Sequence, residues 1–156
     1  NVGAMLLAFV ALVALANALV ALPFELYNDV AGASVTPLTL QRIFGWIFWP
    51  LAFLMGVPFD ECTMVGTLLG EKIVLNEFVA YLSLKGMMGA LSERSITLAT
   101  YALCGFANFS SIAIQLGGIG GIAPERRSEL AKLGLRAMFG GMLAACMTAC
   151  VVGILI

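Results

Sequence analysis

Glu71, Lys72 and Glu77 stand inside one apolar stretch of the chain, GEKIVLNEFVAY (Gly70 to Tyr81), and Asn108 and Ser111 stand inside another, GFANFSSIAIQ. An ionisable side chain at the centre of a bilayer helix costs on the order of 3 kcal/mol, so each of these groups needs a partner, water or a ligand. A carboxylate accepts hydrogen bonds, an amide donates and accepts, and a hydroxyl does both. Such a set can grip a neutral polyhydroxyl molecule, each ligand hydroxyl donating to one group and accepting from another. Asn108 and Ser111 are three residues apart and share a face on a helical segment. Two plainer uses stand beside that one: hydrogen bonds that join helices, and a structural carboxylate at Glu77 satisfied by another helix. Histidine is absent, and Cys62, Cys104, Cys146 and Cys150 lie in or beside apolar runs. That removes the common zinc sets and the His-based triads; no metal ligand and no enzyme is expected, and the cysteines are packing residues.

The elements that must position these groups are set by composition. The 156 residues are 62% hydrophobic and 11% charged, with a net charge of −1 and a mean hydropathy of +1.04, which describes an all-α polytopic membrane protein and gives no footing for nucleic acid. The chain opens at Asn1 with no initiator Met, so residues are expected upstream. Val2 to Phe24 is long enough to span, with Asn17 its one polar interruption, and a polar connection follows. Residues 1–42 form a first unit on this reading, and 43–156 a second. Ile43 to Pro58 is marginal in length, carries Pro50, and holds Trp46 and Trp49, which suits an interfacial or broken helix.

Residues 60–84 hold two apolar pieces, each too short to cross, around Gly70-Glu71-Lys72. A re-entrant helical hairpin with its tip at Gly70 satisfies the length limit; one long tilted helix is the competing arrangement. Residues 95–123 suit a span broken near Asn108, and 133–156 a last span. The Gly66/Gly70 and Gly117/Gly121 pairs are read as packing positions. Arg126, Arg127, Lys132 and Arg136 place the connection before the last span in the cytoplasm and the C-terminus outside.

GEKIVLNEFVAY fits the pattern Gly/Ala-x-Lys-x-x-x-Asn-Glu-Phe-Val-Ala-aromatic, and YALCGFANFSSIAIQLGGIGGIAP follows in order. Together with PLAFLMGVPF and RRSELAKLGLRAMFGG, these stretches resemble the concentrative nucleoside transporters over nearly the whole chain. The resemblance implies the C-terminal half of an inverted-repeat symporter coupled to Na+ or H+, placed in the cell membrane. A nucleoside would be held near midplane and carried by transport domains that move, elevator-fashion, against a trimeric scaffold. Residues 1–42 would belong to that scaffold. It also implies that Glu77, Asn108 and Ser111 bind the ribose, that Phe106 lies against the nucleoside, and that the base and the coupling cation are held by a missing N-terminal half. A channel, or a structural subunit using the same polar residues for gating or assembly, is the rival function.

Overall fold

The computed structural model describes residues 2–156, apart from the side chains of 2, 5, 6 and 9. It is all helix among the described residues. The helices are α1 (Val2–Ala31), α2 (Leu40–Leu54), α3 (Cys62–Val74), α4 (Glu77–Met87), α5 (Glu93–Leu103), α6 (Phe109–Ile122), a 3-10 turn (Pro124–Arg126) and α7 (Arg127–Leu155). Four starts are marked by a polar side chain in extended backbone. Thr39, Asn76, Ser92 and Asn108 each accept from the N–H three residues on, which satisfies a donor that the first turn cannot.

α1 runs through Pro23 and past Phe24 to Ala31. Beyond it the chain doubles back: the Asn28 amide donates to Val35 O at 2.8 Å and accepts from Val35 N at 2.9 Å. Asn17 then accepts from Leu40 N at 2.8 Å, so α2 begins beside the middle of α1 rather than beyond its end. Leu12, Leu15, Leu19 and Leu22 of α1 stay exposed, and Val10–Ala31 is long and apolar enough to cross a membrane, as is Pro124–Leu155.

α2 is not broken. It continues through Pro50 and buries Gly45, Phe48 and Ala52, lying along α3. A Cβ on Gly66 would stand 2.5 Å from Gly45 O, and one on Gly70 would stand 2.5 Å from Gln41 O. The Gly66/Gly70 pair therefore serves backbone-to-backbone approach, as read from its spacing.

The same contact corrects the expected hairpin tip. α3 passes straight through Gly70, Glu71 and Lys72, and the break falls at Leu75 and Asn76. Gly70 is a packing position, and the turn is made by the capping Asn76 instead. The hairpin's mouth is closed by Glu61, which accepts from Ser92 N at 3.1 Å and Ser92 Oγ at 2.9 Å.

The broken helix falls where expected: α5 ends at Leu103 and α6 starts at Phe109, with Gly105 (φ +139) in the link, a conformation suited to glycine. α7 starts at Arg127, ahead of its apolar run, because hydropathy marks what can enter lipid and not where helix begins. Arg94 ties the assembly at one end, donating to Gly56 O (3.0 Å), Gly153 O (2.8 Å) and Ile156 O (3.1 Å). The core beneath the hairpin is apolar and fully buried, including Val65, Leu68, Leu98, Ala102 and Ala149.

Candidate functional site

The break in the hairpin and the break in the α5–α6 helix meet. Asn108 Nδ2 donates to Glu77 Oε2 at 2.8 Å, across 31 residues of sequence. Asn108 Oδ1 accepts from Ser111 N (2.8 Å), Ser111 Oγ (2.8 Å) and Ser110 Oγ (2.6 Å). Asn108 is 1% exposed, so its amide lies inside the protein. Asn108 and Ser111 are joined, but as a helix cap and the third residue of its helix rather than as neighbours on one helical face.

Each free helix end at this junction is answered by the other segment. Ser110 Oγ, whose one proton goes to Asn108 Oδ1, also lies 3.3 Å from Leu75 O, just past the end of α3. Lys72 Nζ donates to Ala102 O at 2.9 Å and Tyr81 Oη to Thr100 O at 2.7 Å, so side chains from both hairpin arms cap the last carbonyls of α5. Lys72 is 0% exposed, and its charge sits at a helix C-terminus. Glu77 has the complementary place, in the first turn of α4 and against the cap of α6. A fixed charge so matched to a helix end is stabilised by about 0.3–1 kcal/mol, more where partly buried. Asn108 takes one oxygen of the Glu77 carboxylate, Oε2.

Of the residues singled out in the sequence, Glu77, Asn108 and Ser111 form one hydrogen-bonded chain. Phe106 makes none of its bonds. It is 77% exposed and lines a cavity of about 290 Å³ between the link, α6 and α7, together with Gly105, Ser111, Gln115 and Met138. Sequence reasoning passed over Tyr81 and Ser110, and left Lys72 without a role. Asn76 and Asn108 carried a readable signal, each an Asn that interrupts an apolar run and opens a helix. The Lys72 and Tyr81 bonds go to backbone carbonyls about 20 to 30 residues away, which no local pattern reveals.

A family model described as the C-terminus of Na+ dependent nucleoside transporters matches residues 1–153. The chain belongs to that family. Among relatives of this nucleoside transporter family segment, an uncharacterized transporter of Bacillus subtilis, YutK, is 49% identical over all of the chain and 37% of its own length. The rat sodium/nucleoside cotransporter 1 is 42% identical over 99% of the chain and 25% of its own length. The chain thus spans about a quarter to two fifths of the relatives it matches. A CNTnw variant in an outward-facing state matches with a TM-score of 0.85 at 41% identity, over 99% of this chain and 38% of that one. CNTnw in an inward-facing substrate-bound state matches with a TM-score of 0.75 at 42% identity, over 97% and 36%.

Proposed function

We propose that the chain is the C-terminal part of a cation-coupled nucleoside symporter, and that the junction of its hairpin and broken helix holds the ribose. The observation that carries this reading is the Glu77–Asn108–Ser111 chain at two convergent helix N-termini. Asn108 turns the carboxylate and leaves its second oxygen to accept from a ribose hydroxyl, while Ser111 lines the adjoining cavity with Phe106. Half-helix ends that converge on a polar ligand are a general way of building a site at membrane depth. Family membership and relatives named as cotransporters favour transport over the channel reading.

On this proposal α3 and α4 are re-entrant, their mouth at Glu61 and Ser92 and their tip at Leu75 and Asn76 near midplane. α1 belongs to a trimeric scaffold and residues 43–156 to the part that moves. The base and the coupling cation, Na+ or H+, are held by residues that lie outside this chain. The basic residues from Arg126 to Arg136 lie in the cytoplasm, and the end of α7 faces outward. The chain acts on no bond in its substrate and is not an enzyme. The lower TM-score against the inward-facing structure at equal identity fits a segment whose parts shift between states.

The test uses the full-length protein. Glu77→Gln keeps size and removes the charged acceptor; a hydrogen bond to a charged group contributes about 1.5–3 kcal/mol, or about ten- to a hundredfold in affinity. Uptake competition by uridine and its 2′- and 3′-deoxy analogues is measured at matched membrane expression. The wild type should discriminate against the analogue whose missing hydroxyl Glu77 accepts, and the variant should not. Equal discrimination in both proteins would make Glu77 a structural carboxylate.

A further inference from the structure

Lys72 is the largest side chain that is completely buried among the described residues, and it is a charged one. Burying an ammonium costs far more than burying a hydroxyl, and an opposite charge in contact is the usual compensation. Among the described residues the one ion pair is Arg126–Glu129, which is exposed. The Lys72 ammonium lies instead on a backbone carbonyl, Ala102 O, at 2.9 Å. The neighbouring bonds show that capping α5 does not call for a charge. Tyr81 Oη caps Thr100 O at 2.7 Å with a neutral hydroxyl, and the Cys104 N–H caps Tyr101 O from the chain itself. Three successive carbonyls at the end of α5 thus have three donors, and one donor brings a full positive charge that the hydrogen bond alone does not require.

What the charge does follows from where it lies. Lys72 stands in the last turn of α3 and bonds in the last turn of α5, so it meets the negative ends of both broken helices. Glu77 stands in the first turn of α4 and on the cap of α6, the positive ends of the two segments that follow. The two breaks therefore carry one fixed charge of each sign, on either side of Leu75 and Asn76. The titratable groups that face the ammonium are Cys146 from α7, Glu77 from α4 and Cys104 from the link. Two of these are thiols, which are neutral near pH 7 in ordinary surroundings, and Glu77 is the carboxylate. Where little water screens them, charges act on each other well beyond contact distance. Half-helix C-terminal ends at membrane depth are a general place for a bound cation, and here an ammonium of the chain itself stands there.

We propose that Lys72 is a tethered cation: a positioning residue whose fixed charge, and not only its hydrogen bond, holds the carbonyl ends of α3 and α5 together and fixes the Glu77 carboxylate across the break. Glu77 then keeps its place with or without substrate, which is what a preorganised acceptor requires. The effect on ribose binding rests on the function proposed above. The charge coupling between Lys72 and Glu77 does not.

The test separates charge from hydrogen bond in the full-length protein, purified in one sodium-containing buffer. Lys72→Gln keeps an N–H donor for Ala102 O and removes the charge; Lys72→Met removes both. Each is made alone and together with Glu77→Gln, and melting temperature and uridine Kd are measured. On the proposal, Lys72→Gln and Lys72→Met both bind uridine about tenfold more weakly than wild type, although Lys72→Gln melts closer to it. In the Glu77→Gln background, Lys72→Gln weakens uridine binding no further, because the charge acts through the carboxylate. The double variant also melts higher than Lys72→Gln alone, since removing one charge of a coupled pair leaves the other uncompensated. Uridine binding by Lys72→Gln equal to wild type would overturn the proposal and leave Lys72 a simple cap. So would equal losses of affinity from Lys72→Gln in both backgrounds. Should Lys72→Gln fail to fold, the double variant decides: its recovery of fold supports the charge coupling, and its failure refutes it. Coupled melting temperatures with unchanged uridine affinity in every Glu77 variant would sink the ribose reading and leave the tethered cation standing.

Discussion

Replacing Asn108 separates the two tasks the structure gives it. Its Oδ1 caps α6 through Ser111 N at 2.8 Å, and its Nδ2 holds Glu77 at 2.8 Å. Loss of an N-cap costs about 1 kcal/mol, and loss of a hydrogen bond to a charged group about 1.5–3 kcal/mol. Asn108→Ala loses both, so about 2.5–4 kcal/mol of stability should go, with Glu77 released from its orientation. Ser is as good a cap as Asn but too short to reach Glu77, so Asn108→Ser should lose only the second part. Ser111→Ala keeps the backbone cap bond and loses one neutral hydroxyl contact, about 1 kcal/mol. Thermal unfolding of the full-length protein in detergent, alongside uridine binding, should give the order Ser111→Ala, Asn108→Ser, Asn108→Ala in rising loss of stability. The two Asn108 variants should be equally poor in binding, because both free Glu77. If Asn108→Ala is no less stable than Ser111→Ala, the Glu77 contact carries no energy and the junction is not held as described.

Gly70→Ala should destabilise the full-length protein by about 1–3 kcal/mol, since its Cβ would meet backbone at Gln41 O and not a side chain that can turn away. Gly86→Ala in α4, where nothing lies within 4 Å, should be neutral or stabilising, and equal effects at the two sites in a melting experiment would restore Gly70 to the hairpin tip. Cysteines placed at Asp60 and Lys85 in a cysteine-free background should label from the same side of the membrane, whereas opposite-side labelling would favour one long helix. The carboxyl of Glu61 is held below the ordinary carboxylate range chiefly by the Ser95 hydroxyl, with burial opposing it and the Ser92 N–H and hydroxyl each adding a smaller downward pull. A lowered folded value means that its contribution is present above the unfolded carboxylate value and is lost as pH falls through the folded one. Acid should therefore weaken the closed hairpin mouth in wild type, seen as lower amide protection around 88–92 relative to the intrinsic exchange rate at each pH, and do so less in Glu61→Gln.

The parts of this fold that were legible are those in which one local signal dominates. The gap in the apolar run at 104–108 could be seen because Gly105, Asn108 and two serines interrupt it together. The hairpin was legible as two short apolar pieces, but its tip was not. Gly70, Glu71 and Lys72 are the most polar run there, yet each is used inside the helix: Gly70 against α2, Glu71 toward a polar cavity, Lys72 against the end of α5. Polarity marks where an apolar helix is interrupted only when nothing else in the fold uses the polar groups. Asn76 marks the true break because a cap acts on its own helix. The unbroken α2 illustrates the same point: Pro50 removes one hydrogen bond, and burial of Gly45, Phe48 and Ala52 along α3 outweighs it.

The mutual capping at the junction bears on how such a segment could move. Were the hairpin to swing away from α5 and α6, Ala102 O would lose Lys72, Thr100 O would lose Tyr81 and Glu77 would lose Asn108. Two of these three bonds involve a charged group in an apolar setting, at about 1.5–3 kcal/mol each, and the third about 1 kcal/mol, so separation costs roughly 4–7 kcal/mol before any apolar contact is counted. An equilibrium opposed by that much keeps the open form at about one molecule in a thousand or fewer. The contact of α1 is of another kind: it packs chiefly against α6 across an apolar surface that Leu12, Val13, Ala16 and Phe109 line, with one bond from Leu40 N to Asn17 at the start of α2. Sliding along that surface breaks no bond of the junction, so a shift of the hairpin together with α5 and α6 relative to α1 is the less costly motion. It would carry Glu77, Asn108 and Ser111 as one unit.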